Sequence, residues 1–366
     1  MNWFVLTAAA IPAGYQLVSI AACLKRLAFR QKLTGFTPAV SILKPVRGAD
    51  PNFYEAIKSQ AEIDYPEYEV LFGIADSNDS ALPHIHRLQA EFPDKAIRII
   101  QVTTETLNGK VGALIDLERS AKYNTLVISD ADIKVPTEYL RKVIAPLEDP
   151  GNGLVTCLYR ASAGTFAGLF EVAGVETDFA PSALVAPLVG VDEFAFGSTI
   201  AVRRADLARS GGLGPIADYI ADDYQIGKRI HALNLKCVLA ETVVDTDMGA
   251  PSFAVAWAHQ VRWARTIRVS RPGGYFGLFV TFATLWSLAV ALAGEPMVGL
   301  ALFALRMIAG HIAQVNVLKS RPAGAMVSIR DLAFVAVWIA GLLPGKVVWR
   351  GQKMVLMRDG RIRNLI

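Results

Sequence analysis

The chain has 366 residues, of which 53% are hydrophobic and only 19% charged, a balance too apolar for an ordinary soluble enzyme. Its formal charge of +4 comes mostly from basic residues that flank apolar runs. With no basic-aromatic platform in the middle of the chain, that charge points to anionic lipid and phosphate rather than to nucleic acid. Cys23, Cys157 and Cys237 are scattered, without metal spacing, and suit a reduced setting with no disulfide.

Residues 3–24 form an almost uncharged run, long enough for the ~20 residues that a membrane-spanning helix needs. Lys25, Arg26, Arg30 and Lys32 come immediately after it. Charge that trails the apolar run marks an uncleaved anchor, and it places the middle of the chain on the cytoplasmic side. Residues 275–293 and 298–315 are two further apolar runs, separated by Gly294-Glu295-Pro296, and predict a helical hairpin. A shorter run, 332–343, ends in Pro344-Gly345-Lys346 and reads as re-entrant or interfacial. Lys319, Arg321 and the tail residues Lys346, Arg350, Lys353, Arg358, Arg361 and Arg363 stay on the cytoplasmic side if the chain crosses three times and dips once. The expected organisation is an anchor over 1–24, a cytoplasmic domain with interfacial helices over 25–273, and a hairpin, dip and basic tail over 274–366.

Between about 36 and 273 the pattern is α/β. Residues 40–43, 68–72, 97–100, 127–128 and 153–156 read as strands, and 52–61, 81–91, 111–121 and 137–147 as helices between them. Such alternation predicts a mostly parallel sheet covered on both faces, with ligands at the carboxyl ends of the strands.

Polar residues gather at those strand ends. Asp76 comes after the second strand and could accept from a uracil N–H or a ribose hydroxyl, while Asp79 suits the cap of the next helix. Lys110 stands at the start of the 111–121 helix, where a phosphate can be met. Ser129-Asp130-Ala131-Asp132 ends the fourth strand with two carboxylates one residue apart, hard oxygen ligands for a divalent cation. Asp222-Asp223-Tyr224 opens a helix; such acids complement the helix dipole, and one of them could take a proton from an incoming hydroxyl. His259-Gln260-Val261-Arg262-Trp263 combines a planar fork for phosphate oxygens with a flat aromatic wall.

Taken in order, these motifs resemble the inverting GT-A glycosyltransferases of the family 2 type. More closely they resemble the ceramide glucosyltransferase family (family 21) and its bacterial relatives. The resemblance begins at Leu43-Lys44-Pro45-Val46-Arg47-Gly48-Ala49-Asp50-Pro51-Asn52, runs through Asp64-Tyr65-Pro66, Asn108-Gly109-Lys110, Ser129-Asp130-Ala131-Asp132 and Tyr219-Ile220-Ala221-Asp222-Asp223-Tyr224, and closes on Arg262-Trp263 and the tail from Trp349-Arg350-Gly351 to Arg361-Ile362-Arg363. It implies that Pro45, Asp76 and Lys110 hold the nucleotide, that Asp130 and Asp132 serve the nucleotide sugar, with Mg²⁺ or Mn²⁺ on Asp132, and that Asp223, next to Asp222, is the catalytic base. Arg262 and Trp263 then close a (Gln/Arg)-x-x-Arg-Trp box over diphosphate and acceptor.

Two departures stand out. The first box position is His259, with Gln260 beside it, so either can stand for the pyrophosphate contact. Where ceramide enzymes carry a His-Pro with aromatics, this chain has Glu176-Thr177-Asp178-Phe179-Ala180-Pro181-Ser182, which looks more like the hopanoid-biosynthesis branch. That branch implies transfer of N-acetylglucosamine from UDP-GlcNAc to a hopanoid polyol in a bacterial inner membrane, with Asp178 accepting bonds from the polyol hydroxyls. Residues 163–175, apolar and small, suit an interfacial helix that guides the lipid. Glucosylation of ceramide and processive polysaccharide synthesis are the enzymatic alternatives, the latter requiring a pore of several long helices.

Overall fold

Four largely apolar strands open the sheet-forming part of the chain: β1 (Val40–Pro45), β2 (Tyr68–Ile74), β3 (Ala96–Gln101) and β4 (Thr125–Ile128). Such runs are the signature of parallel strands covered on both faces, and β1 does pair in parallel with β2 and β4, as β2 does with β3. Three more strands, β5 (Asn152–Ser162), β6 (Ile200–Arg203) and β7 (Lys236–Asp247), complete a seven-stranded sheet in the order β3-β2-β1-β4-β6-β5-β7. Strand β6 runs antiparallel to both β4 and β5. The expected α/β class is therefore found, with β6 and β7 added to the strands read from sequence.

The computed structural model describes residues 3–249, 252–344, 346–349 and 352–364; Gly345, Arg350 and Gly351 of the tail motifs lie outside the described residues. The chain divides into two compact units, one of residues 30–159, 191–247 and 360–366, the other of residues 1–29, 160–190 and 248–359.

In the first unit, side-chain alternation sorts each strand into two layers. Val40, Ile42, Val70, Phe72 and Val127 pack with Phe53 and Ile57 of the helix Phe53–Ala61. Leu43, Leu71, Leu126 and Ile128 pack on the other face with Val111, Leu114 and Leu117 of the helix Gly109–Ser120. Because β1 has β2 on one side and β4 on the other, the chain reverses its strand order there, and a crevice opens beyond the carboxyl ends of β1 and β4.

The second unit is helical. Val5–Ala28, Phe166–Val189 and Pro296–Val317 are each long and apolar enough to cross a membrane. The run 275–293, expected as one spanning helix, is instead two helices, Pro272–Thr281 and Ala283–Leu292, bent by 53°. The break falls at Phe282, whose backbone leaves the helical region (ψ 58°) while its buried ring packs edge-on against Phe334 at 5.6 Å. Residues 163–175, expected as a short interfacial helix, belong to the longer apolar segment Phe166–Val189, carried through a π-helical stretch, Val175–Phe179. The run 332–343 is the end of a longer helix, Met326–Leu342, which starts early enough to bury Arg330 and Asp331. Past it, the strands Lys346–Trp349 and Gln352–Leu356 pair antiparallel.

Candidate active site

The residues expected to act on the donor converge at the ends of β1, β2 and β4. Pro45 is the last residue of β1 and Asp76 lies just past β2. Asp76 is exposed, and its side chain accepts from the Asn78 N–H at 2.9 Å. Asp79 accepts from Ala81 N at 2.9 Å and from Gly48 N at 2.9 and 3.0 Å, so it pins the loop after β1; it is not the expected cap of the next helix, whose N-cap position is Ala81, without a side-chain cap bond.

The turn after β4 is tied to its surroundings at several points. Ser129 N donates to Leu43 O at 3.1 Å and Asp130 N to Gly197 O at 3.1 Å, while the Thr246 hydroxyl on β7 donates to Asp132 Oδ2 at 2.6 Å. Below the turn lies Lys44, fully buried on β1, whose Nζ donates to Asp130 O at 2.7 Å and to Ser129 Oγ at 3.3 Å. Burial pushes the Lys44 ammonium down to about 8, against the opposing pull of Asp132 and Asp130.

Lys110 sits in the first turn of the helix Gly109–Ser120, fixed there by Asn108. The buried Asn108 side chain accepts from Lys110 N at 3.1 Å and Val111 N at 3.4 Å, so the first residue of the Asn108-Gly109-Lys110 motif is the N-cap of this helix. Lys110 Nζ bridges Asp130 Oδ1 at 2.7 Å and Asp222 Oδ2 at 3.0 Å. Burial alone would lower its pKa, but Asp130, Asp222 and Asp223 together hold it above the ordinary lysine range.

Asp223 lies one residue on, at the start of the helix Asp222–His231. Its Oδ1 accepts from Tyr224 N at 2.7 Å and its Oδ2 from Gly197 N at 3.0 Å. Burial first, and then the like charge of Asp222, raise its carboxyl to about 6, with Lys110 pulling the other way. Gly197 thus touches both key acids through its backbone, and it has to be glycine. A Cβ there would stand 2.6 Å from Asp130 Oδ2 and 3.2 Å from Lys110 Nζ. Tyr159 on β5 is a second residue without a motif: burial, and then the charges of Asp223, Asp130 and Asp132, push its phenol up.

Asp132 is also pushed up, by burial and by the neighbouring Asp130 charge. Among the described residues no three His, Cys, Asp or Glu side chains gather as a metal site. The donor set present is a pair of hard carboxylates one residue apart. It fits a cation of the Mg²⁺ or Mn²⁺ kind, which takes one or two carboxylates and completes its shell with phosphate oxygens and water. Such a cation would also relieve the repulsion recorded at Asp132.

The remaining expected residues belong to the helical unit. Asp178, expected to accept from acceptor hydroxyls, is instead held between two guanidinium groups: Arg306 Nη2 reaches Oδ1 at 2.7 Å and Arg330 pairs with Oδ2. Arg306 also meets Asp331 Oδ1 at 2.7 Å and donates to Thr177 O at 2.8 Å, so the π-helical stretch is braced by a buried ion network. Nothing in the apolar patterning of 298–315 signals this role of Arg306. On the helix Phe253–Ser270, Gln260 is buried and donates to Glu171 Oε1 at 3.2 Å, whereas His259 is half-exposed with Nδ1 at 3.5 Å from the same oxygen. Arg262 and Trp263 come next on this helix, both half-exposed.

An open, mostly parallel sheet with an acidic turn after its fourth strand and acids opposite it defines a protein of the GT-A glycosyltransferase fold. The mannosyltransferase PcManGT from Pyrobaculum calidifontis, solved in complex with GDP-Man and Mn²⁺, shares that fold at a TM-score of 0.53 and 21% identity, over 91% of this chain and 97% of the mannosyltransferase. The chain belongs to glycosyl transferase family 21, whose profile matches residues 4–362. Among curated relatives, ceramide glucosyltransferase 3 of Caenorhabditis elegans is 26% identical over 220 residues, which cover 56% of this chain and 45% of the relative. Ceramide glucosyltransferase 1 of the same organism is 26% identical over 206 residues, 56% of this chain and 44% of the relative. The ceramide glucosyltransferase of Candida albicans is 27% identical over 123 residues, 30% of this chain and 22% of the relative. The matched stretch spans less than half the length of these relatives.

Proposed function

We propose that this protein transfers a sugar from a UDP-sugar to a hydroxyl of a membrane lipid, inverting the anomeric centre. The observation that carries the reading is the convergence of Asp223 with Lys110, Asp130 and Asp222 at the strand ends, with the Asp223 carboxyl raised to about 6. A base must be unprotonated near neutrality and still basic enough to accept a proton, and a carboxyl so raised meets both needs.

In this reading Asp76 accepts from the uridine, and Lys110 and Asp130 hold the donor from the helix start and the turn. A divalent cation on Asp132 would supply charge neutralisation for the departing diphosphate. Asp223 takes the proton of the acceptor hydroxyl. The hydroxyl oxygen forms its bond to the anomeric carbon on the face opposite UDP, the bond to the diphosphate oxygen breaks, and an α-linked donor yields a β-glycoside. His259, Arg262 and Trp263 are proposed to contact donor and acceptor through the box that the family resemblance implies. The half-exposed position of His259 supports it over the buried Gln260 in that role.

A lipid acceptor is supported by the apolar helices and by the names of the relatives. The basic residues at 25–32 and 346–363 favour an orientation with the catalytic unit on the cytoplasmic side, and a bacterial inner membrane is proposed from the resemblance to the hopanoid branch. The finer proposal, N-acetylglucosamine transferred to a hopanoid polyol, rests on the departure at 176–182 from the ceramide pattern. It is tested with the purified protein in nanodiscs, offered UDP-GlcNAc or UDP-glucose with bacteriohopanetetrol or ceramide, and read by mass spectrometry. Glycosylated bacteriohopanetetrol formed at least tenfold faster than glucosylceramide is the expected result. Ceramide glucosylation alone would move the acceptor to that named for the relatives, and a polymer without glycolipid would establish a synthase.

A further inference from the structure

A fully buried lysine whose ammonium meets no carboxylate directly is expensive, because its desolvation is offset only by hydrogen bonds to neutral oxygens and by charges beyond contact distance. Lys44 is such a residue. Its Nζ is spent on the Asp130 carbonyl at 2.7 Å and the Ser129 hydroxyl at 3.3 Å, and among the described residues it forms no ion pair within 4 Å. Both acceptors belong to the turn that carries Asp130 and Asp132.

The two carboxylates have their own anchors, Lys110 on Asp130 and Thr246 on Asp132. Backbone bonds from Ser129 N to Leu43 O and from Asp130 N to Gly197 O hold the amides of the turn, and Lys44 adds a side-chain tie to its Asp130 carbonyl and Ser129 hydroxyl. The strand register makes this possible: Leu43 pairs with Ile128 in parallel, and Ser129 N donates back to Leu43 O, so Lys44 lies under the start of the turn.

We propose that Lys44 is the positioning residue of the donor site: it fixes the Ser129–Asp132 turn so that Asp132 can hold the divalent cation carried by a nucleoside diphosphate. The inference rests on the UDP-sugar reading proposed for this site. Lys44 itself touches neither substrate nor cation. A lysine chosen only for packing would be replaced by methionine, of similar length and fully apolar, without selective loss.

The test measures UDP affinity by calorimetry with Mn²⁺ and with chelator, on the full-length protein in nanodiscs. The wild type should bind UDP at least tenfold more tightly with Mn²⁺. In Lys44→Met that gain should shrink to threefold or less while the affinity in chelator stays within threefold of wild type. Lys44→Arg, which keeps charge and donors, should restore most of the gain. Should Lys44→Met fail to fold, Ser129→Ala removes one of the two acceptors and should lower the gain about threefold. A gain in Lys44→Met equal to or larger than that of the wild type overturns the proposal, as does an unchanged gain in Ser129→Ala when the methionine variant cannot be used. A wild type with no Mn²⁺-dependent gain would instead overturn the cation reading on which the proposal stands.

Discussion

Asp222 and Asp223 are neighbours in the chain, yet their surroundings divide the work between them. Asp222 is buried and ion-paired to Lys110 at 3.0 Å, which leaves it occupied. Asp223 accepts from two backbone N–H groups, those of Gly197 and Tyr224, and is raised to about 6 by burial and by Asp222. If it is the base, kcat/KM should climb with pH as Asp223 loses its proton near 6 and then level off. Asp223→Asn should remove that limb and cost ~10²–10⁴-fold in turnover, with UDP affinity within a few-fold. The same shift has a stability consequence. The folded pKa lies above the unfolded value of 3.8, so the native state favours the protonated form, and stability is lost as pH rises through about 6. The asparagine variant should therefore melt higher than wild type at pH 7.5 while being nearly inactive. A variant that keeps more than a tenth of the turnover transfers the role of base to Asp222. At this scale the acids and Lys110 were legible because strand ends and helix starts expose them. Gly197, Thr246 and Lys44 were not, because they act through loops and strands distant in sequence that only the folded sheet brings together.

At the scale of elements, the parallel strands were legible from their largely apolar runs and the helices between them from periodicity. The helical unit was less so. The break at Phe282 has neither proline nor glycine to announce it, and it coincides with a buried ring packed edge-on against Phe334. The network of Asp178, Arg306, Arg330 and Asp331 hides in segments whose average composition is apolar, since each helix supplies only one or two charges and balance is reached only between helices. Removing one partner from such a buried set leaves an uncompensated charge and costs ~3–5 kcal/mol. Arg306→Met should therefore lower the unfolding temperature in detergent sharply, and Asp178→Asn less so, with the acceptor KM of folded Asp178→Asn within a few-fold of wild type. A large change in acceptor KM at unchanged melting temperature would instead place Asp178 against the lipid.

For the whole molecule, one unit carries the acids and Lys110 gathered at the strand ends, and the other carries helices long and apolar enough to cross a membrane. The α/β class was readable from alternation alone, and the family from the order of its acids. The number of crossings was not, because among the described residues three helices are long and apolar enough to span and the bent pair adds a fourth only if it counts as one span. The central claim is a single displacement at the anomeric carbon by a lipid hydroxyl. It is tested most directly by nuclear magnetic resonance of the glycolipid that the nanodisc-embedded protein makes from an α-linked UDP-sugar. The account predicts a β-linked product, one per UDP released. An α-linked product, or release of UDP and free sugar with the lipid left unglycosylated, would contradict it.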